Sequence, residues 1–258
     1  MRILWYSLGG WFVPSDDGVE VVELLSTASD GEMADLASDS YAYFFEPTPH
    51  PQINNYDPIE MAARLNKLGN RPPSRVVAFV SHPSPVPFEA QCAFAAQVGH
   101  ILGVWPEVHR VAVPNQRRHR NNGVAKKGQG AGGQAQDIDP GPRVDWQRAL
   151  DAAVDGRSAG EPIPDQARLL VELYLYPQRR GPRLSPTQKR LLYAASTGEI
   201  SVNAEEIAAT VNVQFITAQR AIKGIASHLG QESAGRRSPQ VVGQLVVQYR
   251  WFLHYNGL

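Results

Sequence analysis

The first half of the chain alternates short β-rich runs with amphipathic helical stretches, and this order restricts the fold more than any other feature. It is typical of an α/β domain with a mostly parallel sheet. The 258 residues exceed the size at which one core usually stops growing, so we expect two small cores. The five predicted strands lie at residues 2–8, 19–25, 41–45, 75–81 and 109–114.

Helical periodicity between these strands predicts helices over residues 30–38, 57–70 and 87–103, with Gly69 as the C-cap of the second. The longest carries Cys92, the only cysteine, which excludes an internal disulfide and a cysteine-based zinc site. We expect a buried Cys92 and a cytoplasmic protein. No apolar run approaches the roughly 20 residues that span a bilayer.

A segment over residues 115–142 is rich in Gly, Gln and Asn and carries several basic residues, which predicts a mobile loop or linker. It either lies along DNA phosphates or is merely solvated. Helices are predicted at 144–156 and 164–176, and a polar hinge follows. We therefore expect an α/β domain over residues 1–157, a helical linker over 158–183 and a last domain over 184–258.

Charge is unevenly distributed although the formal net charge is zero. Acidic residues outnumber basic ones over residues 1–107, and basic residues outnumber acidic ones after residue 178. Such asymmetry suggests that the C-terminal part meets a polyanion.

Residues 204–230 have the layout of a helix-turn-helix. The first helix is predicted at 204–210, the turn at 211–213 around Asn212, which can adopt a left-handed conformation, and the second helix at 214–228. Apolar residues at helical spacing in the second helix predict an inward face, formed by Ala218, Ile222, Ile225 and Leu229 against Ile207 and Val211.

The polar residues of the second helix are then predicted to face outward and to bind DNA. Arg220 can pair with a guanine edge, Gln219 with adenine, and Lys223 with guanine or phosphate. An ordinary solvated face is the alternative. The predicted DNA-binding residues are Gln214, Thr217, Gln219, Arg220 and Lys223.

The residues at 184–199 and 205–230 resemble the output domain of NarL/FixJ-type (LuxR-type) response regulators, in register from Ile207 through Thr217 to Leu229. Residues 236–258 resemble that family's last helix, which commonly serves dimerisation. The first half resembles, more weakly, a receiver domain with a flavodoxin-like fold. The resemblance implies a homodimeric transcription regulator that binds double-stranded DNA, and Phe215 and Ile216 depart from it, because that family usually has polar residues there.

The receiver-like half departs from the family at its phosphorylation site. Residues 7–10 replace the acidic pair after the first strand, Glu46 stands where the phosphorylated Asp would fall, and residues 112–114 lack the Lys-Pro ending. Ser81 alone matches the switch residues. Because phosphoryl transfer needs a metal-binding pair, we expect a pseudo-receiver without Asp phosphorylation. Asp16 and Asp17 are interpreted as a turn or N-cap.

No other motif predicts catalysis or a cofactor: the histidines lack ligand spacing, and neither a nucleophile elbow nor a phosphate loop is present. We therefore expect a protein without enzymatic activity that binds no cofactor and no metal. Three alternatives stay open. One is a winged helix, with residues 239–254 extended as a hairpin. Another is an adaptor that binds RNA polymerase or another regulator. The third is an enzymatic α/β domain that binds a nucleotide-derived signal.

Overall fold

The computed structural model describes residues 2–6, 19–50, 55–69, 71–82, 84–112, 160–176, 182–198, 201–229 and 232–257. Within these residues six strands form one sheet in the order β2-β1-β3-β4-β5-β6. The strands are β1 (Arg2–Tyr6), β2 (Glu20–Glu23), β3 (Ala42–Phe45), β4 (Arg75–His82), β5 (Glu107–Ala112) and β6 (Glu161–Pro162).

The first five strands are parallel, with Ile3 beside both Val21 and Ala42, and they confirm the α/β prediction. The sixth strand was not predicted. It pairs antiparallel with β5, where Val108 faces Glu161, and the carboxylate of Glu161 binds the Arg110 guanidinium at 2.9 Å. The expected helical linker over 158–183 therefore contains a strand of two residues, which is too short to have a periodicity of its own.

Three helices pack on one face of the sheet: α1 (Asp30–Asp39), α2 (Pro58–Leu68) and α3 (Phe88–Leu102). Local residues determine their ends. Ser29 and Glu32 form a capping box at the start of α1, Asp57 caps α2, and Gly69 is the C-cap of α2 as predicted.

The opposite face of the sheet carries a second buried cluster, which includes Ile3, Trp5, Phe44 and Phe79. Both faces are buried around β1, β3 and β4, which explains why these three strands are nearly continuous apolar runs rather than alternating ones.

The C-terminal part is helical: α4 (Asp165–Tyr174), α5 (Pro186–Thr197), α6 (Ala204–Thr210), α7 (Phe215–His228), a 3₁₀ turn (Glu232–Arg237) and α8 (Ser238–Tyr255). α8 stays helical through residues 239–254, with one local departure at Tyr249. The winged-helix alternative required a hairpin there and is therefore wrong.

One continuous core joins the sheet to these helices, so the prediction of two separate cores was wrong. The buried helix α3 lies between them and packs on α4 and α8. Phe94 of α3 meets Phe252 of α8 edge to face, with ring centroids 5.6 Å apart. Pairing of these residues could not be predicted from local patterns, because they are far apart in sequence.

Several predicted features lie outside the described residues: the basic segment 115–142, the helix at 144–156, Asp16, Asp17 and residues 7–10. Within the described ranges, no helix combines the length and apolar character needed to cross a membrane.

Candidate nucleic-acid interface

The helix-turn-helix begins at a strongly capped end of α6. The side chain of Asn203 accepts a hydrogen bond from the Glu206 amide at 2.8 Å. The Glu206 carboxylate in turn accepts from the Ser201 amide at 2.7 Å and from its hydroxyl at 2.8 Å. The hydrogen bonds from Ser201 and Asn203 lower the pKa of Glu206. These local contacts fix where α6 starts.

The turn between α6 and α7 is built around Asn212, whose φ is 53°. Asn adopts this left-handed conformation more readily than most residues, as predicted. On either side, the Val211 amide donates to the Ile207 carbonyl at 2.9 Å and the Val213 amide to the Ala208 carbonyl at 3.0 Å. The turn thus ends α6 and lets α7 begin in a new direction.

One face of α7 is buried against α5, α6 and α8. Ala218, Ile222, Ile225 and Leu229 are buried there as predicted, beside a buried Ile207 and a half-buried Val211. Gly224 leaves room for the Gln188 side chain of α5, because a Cβ at Gly224 would lie 2.5 Å from the Nε2 atom of Gln188. α7 is therefore held firmly by its inner face.

All five residues that were predicted to contact DNA are exposed: Gln214, Thr217, Gln219, Arg220 and Lys223. They do not form one line. At 3.6 residues per turn, Gln219, Arg220 and Lys223 share a stripe, and Thr217 and Gln214 lie on an adjoining edge of the helix. The structure thus brings three of the five together.

The stripe is positively charged and unpaired among the described residues, since neither Arg220 nor Lys223 forms an ion pair with any of them. The 3₁₀ turn that follows α7 adds Arg236 and Arg237, which are both exposed. An exposed, unpaired basic surface of this kind attracts phosphate groups.

Two apolar side chains interrupt this polar surface at the start of α7. Phe215 is 45% exposed and Ile216 is 56% exposed. Both positions are usually polar in the LuxR-type pattern that the sequence resembles. Ile216 lies on the same stripe as Gln219, Arg220 and Lys223, because it precedes them by three, four and seven residues.

The two positions of interest in the α/β part lie at the carboxyl ends of neighbouring strands. Glu46 directly follows β3, and its carbonyl accepts a hydrogen bond from the buried Tyr56 hydroxyl at 2.6 Å. Ser81 lies near the end of β4, and its carbonyl accepts from the Gln91 side-chain amide at 3.2 Å. Burial raises the pKa of Tyr56, so Tyr56 remains a donor at neutral pH.

Sequence reasoning missed two polar contacts between the last helix and the α/β part. The Tyr255 hydroxyl donates to the Asp57 carboxylate at the start of α2. Asn256 and Gln97 exchange two amide hydrogen bonds of 3.0 and 3.1 Å. Local sequence patterns cannot predict these hydrogen bonds, because the two residues of each pair are far apart in sequence.

Among the residues that the structure describes, no group of three or more His, Cys, Asp or Glu side chains could hold a metal ion. Searches against protein-family profiles, characterised proteins and solved structures return no match for this chain.

Proposed function

We propose that the protein is a sequence-specific DNA-binding transcription regulator in which α7 enters the major groove. The observation that carries the proposal is the stripe of Gln219, Arg220 and Lys223 on the exposed face of a helix whose other face is buried. In helix-turn-helix proteins the second helix reads base edges from such a position. Arginine and glutamine at the stripe suit guanine and adenine, respectively.

The test is selection of genomic DNA fragments by the purified full-length protein at near-physiological salt. The wild type is compared with the double variant Arg220→Ala, Lys223→Ala. The matched control is Lys67→Ala, Arg71→Ala, which removes the same charge from exposed positions of the α/β part. We expect the wild type and the control to enrich one shared sequence and the double variant to lose it.

For the α/β part we propose a pseudo-receiver, in which Glu46 holds a permanent negative charge. The parallel strand order β2-β1-β3-β4-β5 is that of flavodoxin-like sheets and supports this part of the proposal. The protein should gain no phosphoryl group from acetyl phosphate and Mg²⁺. A mass increase that disappears in a Glu46→Ala variant would refute it.

Exposed apolar side chains favour a second candidate, a protein-interaction role. On α8, Val247 is 71% and Trp251 is 48% exposed, and the two residues are one turn apart. The exposed Val247 and Trp251 also support the proposal of a homodimer, which would suit a two-fold-related DNA site. Stable co-purification with RNA polymerase or another regulator, without sequence-specific DNA binding, would favour the adaptor. A two-fold-related site bound by a dimer would favour the regulator.

A further inference from the structure

Ile216 has an unusual position for an exposed aliphatic residue. It lies in the first turn of α7, 56% exposed, at the head of the stripe formed by Gln219, Arg220 and Lys223. Its neighbours on the stripe are polar or cationic, so the apolar patch there is narrow. A stable protein interface buries about 800 Å² on each partner. One isoleucine with Phe215 beside it offers much less apolar area, and cations border it.

The major groove of DNA presents one apolar group on its base edges, which is the 5-methyl group of thymine. The N-terminal residues of a recognition helix are those that meet base edges. An exposed aliphatic side chain at this end of the helix, bordered by cations that suit phosphates and guanines, therefore matches a thymine methyl in both chemistry and place.

We infer that Ile216 is a specificity-determining residue that contacts a thymine methyl group in the bound DNA. The inference rests on the proposed DNA-binding function and adds a base to what α7 reads. Ile216 and Arg220 are separated by about 6 Å along the helix axis, which is about two base-pair steps. The thymine should thus lie within about two base pairs of the base that Arg220 contacts.

The test begins with selection from a random pool of double-stranded DNA by the full-length wild type. Each thymine of the selected site is then replaced in turn by deoxyuridine, which lacks only the methyl group. At one position the affinity should fall about fourfold, as expected for the loss of one buried methyl contact. Replacement in both halves of a two-fold-related site should lower it about fifteenfold, because distant sites act additively.

The variant Ile216→Ser identifies the protein side of the contact. Ile and Ser have similar helix propensities, so α7 should keep its structure. The variant should bind thymine and deoxyuridine duplexes equally. Leu25→Ser is the matched control, since it removes an aliphatic side chain of nearly equal exposure from the α/β part and should retain the fourfold difference.

The outcomes separate the two levels of the proposal. Sequence-specific binding that is indifferent to every deoxyuridine, or a fourfold difference that survives in Ile216→Ser, would overturn the methyl contact and leave the DNA-binding function intact. Absence of any selected sequence would overturn both. A change of oligomeric state in Ile216→Ser, with DNA selection unchanged, would also overturn the contact and assign the residue to a protein interface.

Discussion

Replacement of Phe252 by alanine should destabilise the sheet as well as the helices around it. Phe252 is fully buried on α8 and contacts the rings of Phe94 and Tyr174, with centroids 5.6 and 6.4 Å away. Removing a buried phenylalanine side chain costs about 3–5 kcal/mol, against a total stability of about 5–15 kcal/mol. With a urea m-value near 3 kcal/mol/M, the unfolding midpoint should fall by about 1–2 M.

Hydrogen exchange resolved along the chain is the decisive assay, because it reports the sheet and the helices separately. Since one core joins them, amides of β1, β3 and β4 should lose protection together with those of α5 and α8. Gln244→Ala on the exposed side of α8 is the control and should change stability by less than about 0.5 kcal/mol. Strands that keep wild-type protection while the helices open would refute a shared core.

Three further predictions concern single residues. Burial raises the pKa of the Cys92 thiol to about 12, so a thiol reagent at pH 8 should leave the native protein unmodified and label it only after denaturation; rapid native labelling would contradict this. Asn212 has a φ of 53°, so Asn212→Ala should lower stability by about 1 kcal/mol while Asn212→Gly should not, as thermal unfolding would detect. Burial lowers the pKa of His109, although the Glu107 carboxylate 3.7 Å away partly opposes this. The native state therefore binds fewer protons: stability is full above about pH 6.5 and is lost as the pH falls below that value. In the His109→Gln variant the urea unfolding midpoint should change less between pH 7 and pH 5 than in the wild type. An equal change in the two proteins would refute this prediction.

Local patterns predicted most of the secondary structure, because strands, caps and turns depend on neighbouring residues. The start of α6 follows from Asn203 and the turn before α7 from Asn212, and the exposure of Arg220 and Lys223 follows from helical periodicity. These features need no long-range information.

Long-range pairing is what the sequence could not reveal. Strand β6 exists because Glu161 and Pro162 meet β5. The single core depends on α3 being buried between the sheet and α8. Such contacts depend on shape complementarity between distant segments, and neither segment alone has a residue pattern that predicts the contact.

The ratio of dissociation constants for a selected DNA site and a scrambled duplex of the same composition tests the central claim most directly. Measured by fluorescence anisotropy at near-physiological salt, it should reach about 10³ or more for the wild type. Arg220→Ala should lower it by about 10- to 100-fold, as expected when one bidentate base contact is lost. Equal affinity for the two duplexes, or a ratio that Arg220→Ala leaves unchanged, would contradict base reading by α7.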